Sequence, residues 1–290
     1  VNDHNYEILK KRNVISILNI LNQEHTISRA ELARRTSLTP ATVSNLITKL
    51  EESNIVKLIG QGESTGGRKP ILLQYNPDAF YLAGVDIGLA KVIALITDLH
   101  GNVLYKKKNT FSEEITREQI IDSMLSALHE VFAECGSDAS KIRGIGTSYP
   151  GLVDLAEGTG LVAPNKPAIN NLPIKELFER EFSVYSCIEN DGACMTIGQA
   201  RFGAGRGSKN ILGVLLGYGT GSGIIINGEL YRGLGSTAGE CGHITVNPNG
   251  PTCACGNQGC LEVMASGAAV ALSAKRLVQT GRDSALKEKV

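Results

Sequence analysis

No apolar run in this 290-residue chain approaches the roughly 20 residues needed to cross a bilayer. The N-terminus is charged and helical in pattern, so no secretory signal is expected there. Net charge is lacking too: 29 Lys and Arg balance 29 Asp and Glu over the whole chain. An even cysteine count is also missing. The seven cysteines, three of them clustered at a metal-type spacing, exclude a disulfide framework and point to a reducing compartment, so the cytoplasm is expected.

The length implies two or three domains with enough apolar content for a core. The last stretch, Asp283 to Val290, is helical in pattern and has no terminator, so a truncated chain is expected. Charge is uneven locally: residues 1–76 hold ten Lys and Arg against seven Asp and Glu. That mild basic excess agrees with nucleic-acid binding and equally with a solvated surface.

The densest chemistry lies between Ala238 and Glu262. His243, Cys253, Cys255 and Cys260 fall within eighteen positions and supply the number and type of donors that a closed tetrahedral zinc site uses. Gly256 and Gly259 allow the sharp fold-back that brings such closely spaced thiolates together. Reduced, buried cysteines beside an unrelated histidine are the alternative. A ligating imidazole keeps a proton on its second nitrogen and becomes a donor of fixed direction. Glu240 and Glu262 flank it, and the set suggests a pocket for a polyol.

Apolar residues at three- and four-residue steps (Ile8, Leu9, Val14, Ile15, Leu18, Leu21) predict a helix over residues 5–21. Ser28 and Glu31 form a capping-box pattern that starts a second helix, with Leu32 and Ala33 facing inward. Thr39 followed by Pro40 starts a third, running through Val43, Leu46, Ile47 and Leu50. Helix, tight turn and helix place Thr39, Ala41, Thr42, Ser44 and Asn45 on an early exposed face suited to a major groove. Strands at 55–59 and 71–75 enclose a glycine-rich loop, a wing whose Arg68 and Lys69 would meet phosphate or a minor groove. A helical bundle serving protein contacts is the alternative.

After Asn76-Pro77, a turn and expected hinge, the pattern becomes α/β. Strands are predicted at 81–88, 92–98, 103–107, 142–147, 184–188, 210–216 and 222–226, with helices at 116–135 and 191–203. Asn227-Gly228 signals a hairpin. Two glycine-rich turns, Asp86 to Lys91 and Gly217 to Gly223, could face an anion or serve as structural turns. Asp191 follows a strand, at the carboxyl edge where open α/β sheets bind ligands.

Six motifs carry a family resemblance: Gly144-Ile-Gly-Thr-Ser-Tyr-Pro-Gly151, Ala163-Pro-Asn165, Glu189-Asn-Asp191, the Gly217 to Gly223 loop, Glu240-Cys-Gly-His243, and Cys253-Ala-Cys-Gly-Asn-Gln-Gly-Cys260-Leu-Glu262. They resemble the ROK family of bacterial sugar kinases and sugar-responsive repressors, over nearly the whole chain. The resemblance implies a winged helix-turn-helix at residues 1–76, which marks the repressor branch and includes xylose repressors. Residues 77–290 would be an actin- and hexokinase-like two-lobed sugar-binding domain, its second lobe incomplete. It implies sugar contacts from Asn165, Asn190, Asp191, Glu240, His243 and Glu262, and structural zinc held by His243, Cys253, Cys255 and Cys260.

In kinase members the residue matching Asp191 is the general base, so Asp191 would be the catalytic base if the chain were a kinase; no catalytic residue is expected otherwise. The first phosphate loop departs from the kinase pattern: Leu89 is bulky and Ala90 lacks a hydroxyl, which argues against ATP use. The expected function is a sugar-induced repressor of carbohydrate-utilisation genes, acting on operator DNA as a homodimer or homotetramer without membrane contact. A sugar kinase is one rival. A repressor controlled by a protein partner is another.

Overall fold

The computed structural model describes residues 3–24, 26–62, 69–112, 114–281 and 283–288; the side chains of residues 3–10, 23 and 288 also lie outside the description. The expectations for Ile8, Leu9 and Arg68 therefore fall outside the described side chains. The chain forms two compact units: Val1–Tyr81 with Thr97–Asn102, and Leu82–Ile96 with Val103–Val290. Among the described residues no helix is long and apolar enough to cross a membrane.

In the first unit, α1 (Asp3–Gln23) is followed by β1 (Ile27–Ser28), α2 (Arg29–Thr36), α3 (Pro40–Glu52), β2 (Val56–Gln61) and β3 (Ile71–Tyr75). Ile17, Leu21, Leu32, Val43, Ile47 and Leu73 are fully or almost fully buried and form one core. Ile15 is 56% exposed and does not belong to the expected stripe, because its neighbours Val14 and Leu18 already face the core at helical spacing. Only half of the expected capping box forms. Ser28 Oγ accepts from the Glu31 amide at 3.2 Å, but the Glu31 carboxylate turns to Arg34, at 2.8 and 2.6 Å. Thr39 caps α3 with Pro40 behind it. The wing strands pair antiparallel, and β1 adds a short third strand in the order β1-β3-β2. Two residues carry too little pattern to be read as a strand from sequence.

The second unit holds two sheets that concern the site. The larger is ordered β10-β7-β4-β5-β6, from β4 (Tyr81–Ile87), β5 (Lys91–Thr97), β6 (Val103–Thr110), β7 (Ile142–Tyr149) and β10 (Tyr185–Asn190). β10 runs parallel to β7, and α4 (Arg117–Cys135) intervenes between β6 and β7. It opens with a complete Thr116–Gln119 capping box and buries Ile120, Met124, Leu128 and Val131. Between β7 and β10 lie a hairpin of β8 (Leu152–Asp154) and β9 (Thr159–Val162), then α5 (Ile174–Phe182). None of these three was legible. The strands are short, and α5 is preceded by Pro173 in the N-cap position, with no side-chain cap.

The smaller sheet, β11 (Ile211–Leu216), β12 (Thr220–Ile226) and β13 (Glu229–Leu230), is antiparallel throughout. Asn227 and Gly228 turn it with φ of 54° and 85°, the two positive values a tight hairpin needs. α6 (Asp191–Phe202) packs on β11 and β12. After the thiol-rich loop come α7 (Leu261–Ala265) and α8 (Gly267–Gln279).

Candidate functional site

On the first unit, Thr39, Ala41, Asn45 and Lys69 are exposed, while Thr42 and Ser44 are half-buried. Thr39 Oγ1 accepts from the Thr42 amide at 3.2 Å and lies 2.9 Å from the Thr42 hydroxyl. The two hydroxyls are therefore held in a fixed geometry at the helix start. Arg29, Arg34 and Arg35 are paired with Glu51, Glu31 and Glu24. Their positive charge is spent inside the unit.

In the second unit a cavity of about 1130 Å³ is lined by all six residues expected to contact sugar: Asn165, Asn190, Asp191, Glu240, His243 and Glu262. Chain order does not foretell this meeting, since the six lie on four separate segments. Four of them, Asn165, Asn190, Asp191 and Glu262, are held by hydrogen bonds within the fold. Asn190 ends β10 and caps α6: its Oδ1 accepts from the Ala193 amide at 3.1 Å and its Nδ2 donates to the Gly151 carbonyl at 3.1 Å. Asp191 accepts from the Gly192 amide at 2.8 Å. Glu262 is buried; its Oε2 accepts from the Thr220 amide at 2.9 Å and its Oε1 from Asn165 Nδ2 at 3.3 Å. A Cβ on Gly219 would stand 2.4 Å from that Oε2, so only glycine allows the carboxylate in.

Burial pushes the Asp191 carboxyl up to about 6; the Gly192 bond opposes the shift, and Asp86 and Glu240 reinforce it. Burial also raises Glu240, which His243 partly offsets.

Behind His243, the donor atoms of His243, Cys253, Cys255 and Cys260 lie within 4.8 Å of one another. This group could hold one metal ion. Nδ1 of His243 faces Cys253 Sγ at 3.6 Å, and Cys255 and Cys260 sulfurs are 3.8 Å apart. The second ring nitrogen, Nε2, stands 3.8 Å from Glu240 Oε2. Gly256 and Gly259 have φ of 93° and 62°, the fold-back the spacing demands. Burial, with the neighbouring thiols adding to it, pushes Cys260 up to about 12. A set of thiols so placed ionises together only around a cation.

The turn from Asp86 to Lys91 is also committed internally. Gly88 N–H donates to the Lys91 carbonyl at 2.8 Å, and the Leu89 carbonyl accepts from Lys166 Nζ at 2.6 Å. Lys166 is buried, with its ammonium 4.9 Å from the Phe111 ring centre. Sequence reasoning missed Lys166 and the cavity residue Thr237, which no motif signals. Asp86, with Ser148 donating to it at 2.9 Å, lines the cavity from the glycine-rich turn that the sequence already pointed to.

Residues 82–289 match the ROK family, and residues 11–57 match the winged helix-turn-helix DNA-binding family. The chain belongs to the ROK family. The ROK relative named xylose repressor from Bacillus subtilis strain 168 is 35% identical over 261 residues, covering 89% of this chain and 66% of that protein. This chain thus spans about two thirds of that relative's length. A solved ROK family transcriptional regulator, described as a homolog of the E. coli MLC protein, superposes with a TM-score of 0.80 at 25% identity, covering 96% of this chain and 70% of that one. A ROK family glucokinase from Streptomyces griseus, solved with glucose and AMPPNP, gives a TM-score of 0.62 at 36% identity, covering 69% of this chain and 62% of that one. The glucokinase match leaves out nearly a third of this chain, whereas the regulator match includes almost all of it. The fold is a winged helix-turn-helix followed by a hexokinase-like α/β ROK domain.

Proposed function

We propose that this chain is a sugar-responsive DNA-binding repressor of carbohydrate-utilisation genes, of the xylose-repressor type. Residues 1–76 would bind operator DNA and residues 77–290 the inducing sugar. One observation carries the reading: six polar side chains of a kind that can hold sugar hydroxyls line one cavity in a chain that also presents a winged helix-turn-helix. Thr39, Ala41, Thr42, Ser44 and Asn45 would read base edges, with Arg68 and Lys69 on phosphate. Asn165, Asn190, Asp191, Glu240, His243 and Glu262 would hold sugar hydroxyls. A sugar releases DNA only if it binds the DNA-incompetent arrangement more tightly, so ligand binding must be coupled to the hinge beyond Asn76. A homodimer or homotetramer on a palindromic site, in the cytoplasm, completes the proposal.

The metal proposed is zinc, in a structural role. A tetrahedral site with Zn–S bonds of about 2.3 Å and Zn–N of about 2.0 Å has S–S edges of about 3.8 Å and S–N edges of about 3.5 Å. The separations of 3.8 Å for Cys255–Cys260 and 3.6 Å for Cys253–His243 support that fit. Bound zinc would supply a fixed positive centre with no open coordination position. His243 would then turn Nε2–H toward the cavity, while Glu240 and Glu262 accept from sugar hydroxyls.

Selection of random duplex DNA on the chain tests the reading. A palindromic sequence should be enriched and then released by one pentose, hexose or amino sugar, whereas enrichment of no sequence would overturn it. The rival reading is a sugar kinase, favoured by one observation: Asp191, held at about 6, is suited to take a proton from a hydroxyl near neutral pH. A coupled assay with ATP, magnesium and a sugar panel should show no turnover. Turnover abolished by Asp191→Asn would establish the kinase instead.

A further inference from the structure

We propose that Lys166 is the positioning residue that couples the cavity to the DNA-binding unit, by holding the turn between β4 and β5. This rests on the sugar-site reading above and assigns how that site is read out. Lys166 does not line the cavity, but Pro164, Asn165 and Pro167 beside it do, and so do Leu89, Ala90 and Lys91 of the turn. Its side chain is buried; the ammonium donates to the Leu89 carbonyl at 2.6 Å and lies 4.9 Å from the Phe111 ring centre. Phe111 directly follows β6, and its amide donates to the Ala90 carbonyl at 3.0 Å. One cation therefore grips the cavity ends of both β5 and β6. Burying an ammonium is costly, and a methionine of similar length would fill the space without that cost, so packing alone does not account for the charge.

β5 starts at Lys91 in the cavity wall, and the turn that joins it to β6, Thr97–Asn102, belongs to the first compact unit. That turn is tightly bonded. Buried Asp98 accepts from the His100 and Asn102 amides at 2.9 Å each and from Asn102 Nδ2 at 2.8 Å. Within the first unit the Leu99 amide donates to the Pro77 carbonyl at 3.1 Å, and the His100 ring meets Tyr75, the last residue of wing strand β3, edge-on at 5.6 Å. β5 is seven residues long, roughly 23 Å at the usual strand rise. A strand bonded between β4 and β6 passes a shift along its length instead of absorbing it. The shift originates at Asn165, whose Nδ2 donates to Glu262 Oε1 at 3.3 Å; a sugar hydroxyl held by both side chains separates them. Residues 163–170 follow Asn165 as one piece. The Ala163 amide donates to Asn170 Oδ1 at 2.7 Å, the Lys166 amide to the Ala163 carbonyl at 2.9 Å and the Ile169 amide to the Lys166 carbonyl at 3.1 Å. Lys166 carries that movement to Leu89, and the sugar biases DNA binding by the difference in its affinity for the two positions of the loop.

The test measures coupling on the 290-residue chain, with the duplex selected from random DNA and with D-xylose, D-glucose and N-acetylglucosamine as probes. In the unsubstituted chain at least one sugar should weaken duplex binding by about tenfold and change hydrogen exchange in residues 97–102. Lys166→Met should bind that sugar and the duplex separately within about twofold of the unsubstituted chain, yet lose the sugar's effect on the duplex and on residues 97–102. His100→Ala, at the far end of the strands, should reduce the same effect at unchanged sugar affinity, and it decides the matter where Lys166→Met fails to fold. Coupling kept at about tenfold in folded Lys166→Met, or in His100→Ala where Lys166→Met is unfolded, overturns the inference. Loss of sugar affinity in folded Lys166→Met overturns it too, because Lys166 would then build the site instead of reading it. Sugar binding that leaves the duplex and residues 97–102 unchanged in the unsubstituted chain overturns the inference and leaves the sugar-site reading standing. Binding of none of the three sugars removes that reading, and the inference with it.

Discussion

The winged unit and the cavity unit present their chemistry in opposite ways. Asn45, Ala41 and Lys69 stand exposed on a scaffold held by a separate apolar core. In the cavity, Asn190, Asp191 and Glu262 are at once expected ligands and structural bonds. Substitutions on the first surface should change recognition and leave folding intact, whereas those in the second should change both. The divide predicts a graded set of outcomes.

The largest effect is expected at the thiol cluster. Cys253→Ser or Cys255→Ser should abolish bound zinc, measured by elemental analysis, and with it the sugar-dependent thermal shift, while residues 1–76 of the variant chain keep their protection from hydrogen exchange. A zinc-free variant that still answers sugar would separate the metal from the switch. Next comes Glu262→Ala, which strands the buried Thr220 amide and should lower stability to denaturant by about 2–3 kcal/mol as well as remove sugar binding. Loss of binding at unchanged stability would show that Glu262 is a ligand and not a brace.

On the winged unit, Asn45→Ala should cost about 1–2 kcal/mol on cognate DNA and relax preference at one position, with unfolding unchanged. Lys69→Ala should weaken cognate and random DNA alike and reduce the salt slope by about 1. Equal loss on both DNAs for Asn45→Ala would erase the division between base and phosphate contacts. A separate effect is on pH dependence. Asp191 has its folded pKa raised from 3.8 to about 6, so the stability it contributes is fully present below pH 3.8 and is lost as pH rises through 6. Asp191→Asn should flatten that slope across the window; an unchanged slope would show that another group causes it.

The same divide explains what the sequence could reveal. Helices α2 and α3 were legible because capping and apolar spacing are local signals, and Ser28 and Thr39 both cap as their positions suggest. The thiol cluster was legible because its spacing already limits geometry. Glu262 reaching the Thr220 amide across 42 positions, Lys166 reaching Leu89 across 77 and Arg232 pairing with Glu189 across 43 leave no local trace. Family likeness supplied the six cavity residues. It did not say that most of them are also bonds within the fold.

The most direct measurement of the central claim is reciprocal linkage: operator affinity with and without saturating sugar, and sugar affinity with and without saturating operator, on the same preparation. Sugar should weaken operator binding by some factor, and operator should weaken sugar binding by the same factor. Operator affinity unchanged by every pentose, hexose and amino sugar that binds would contradict the account.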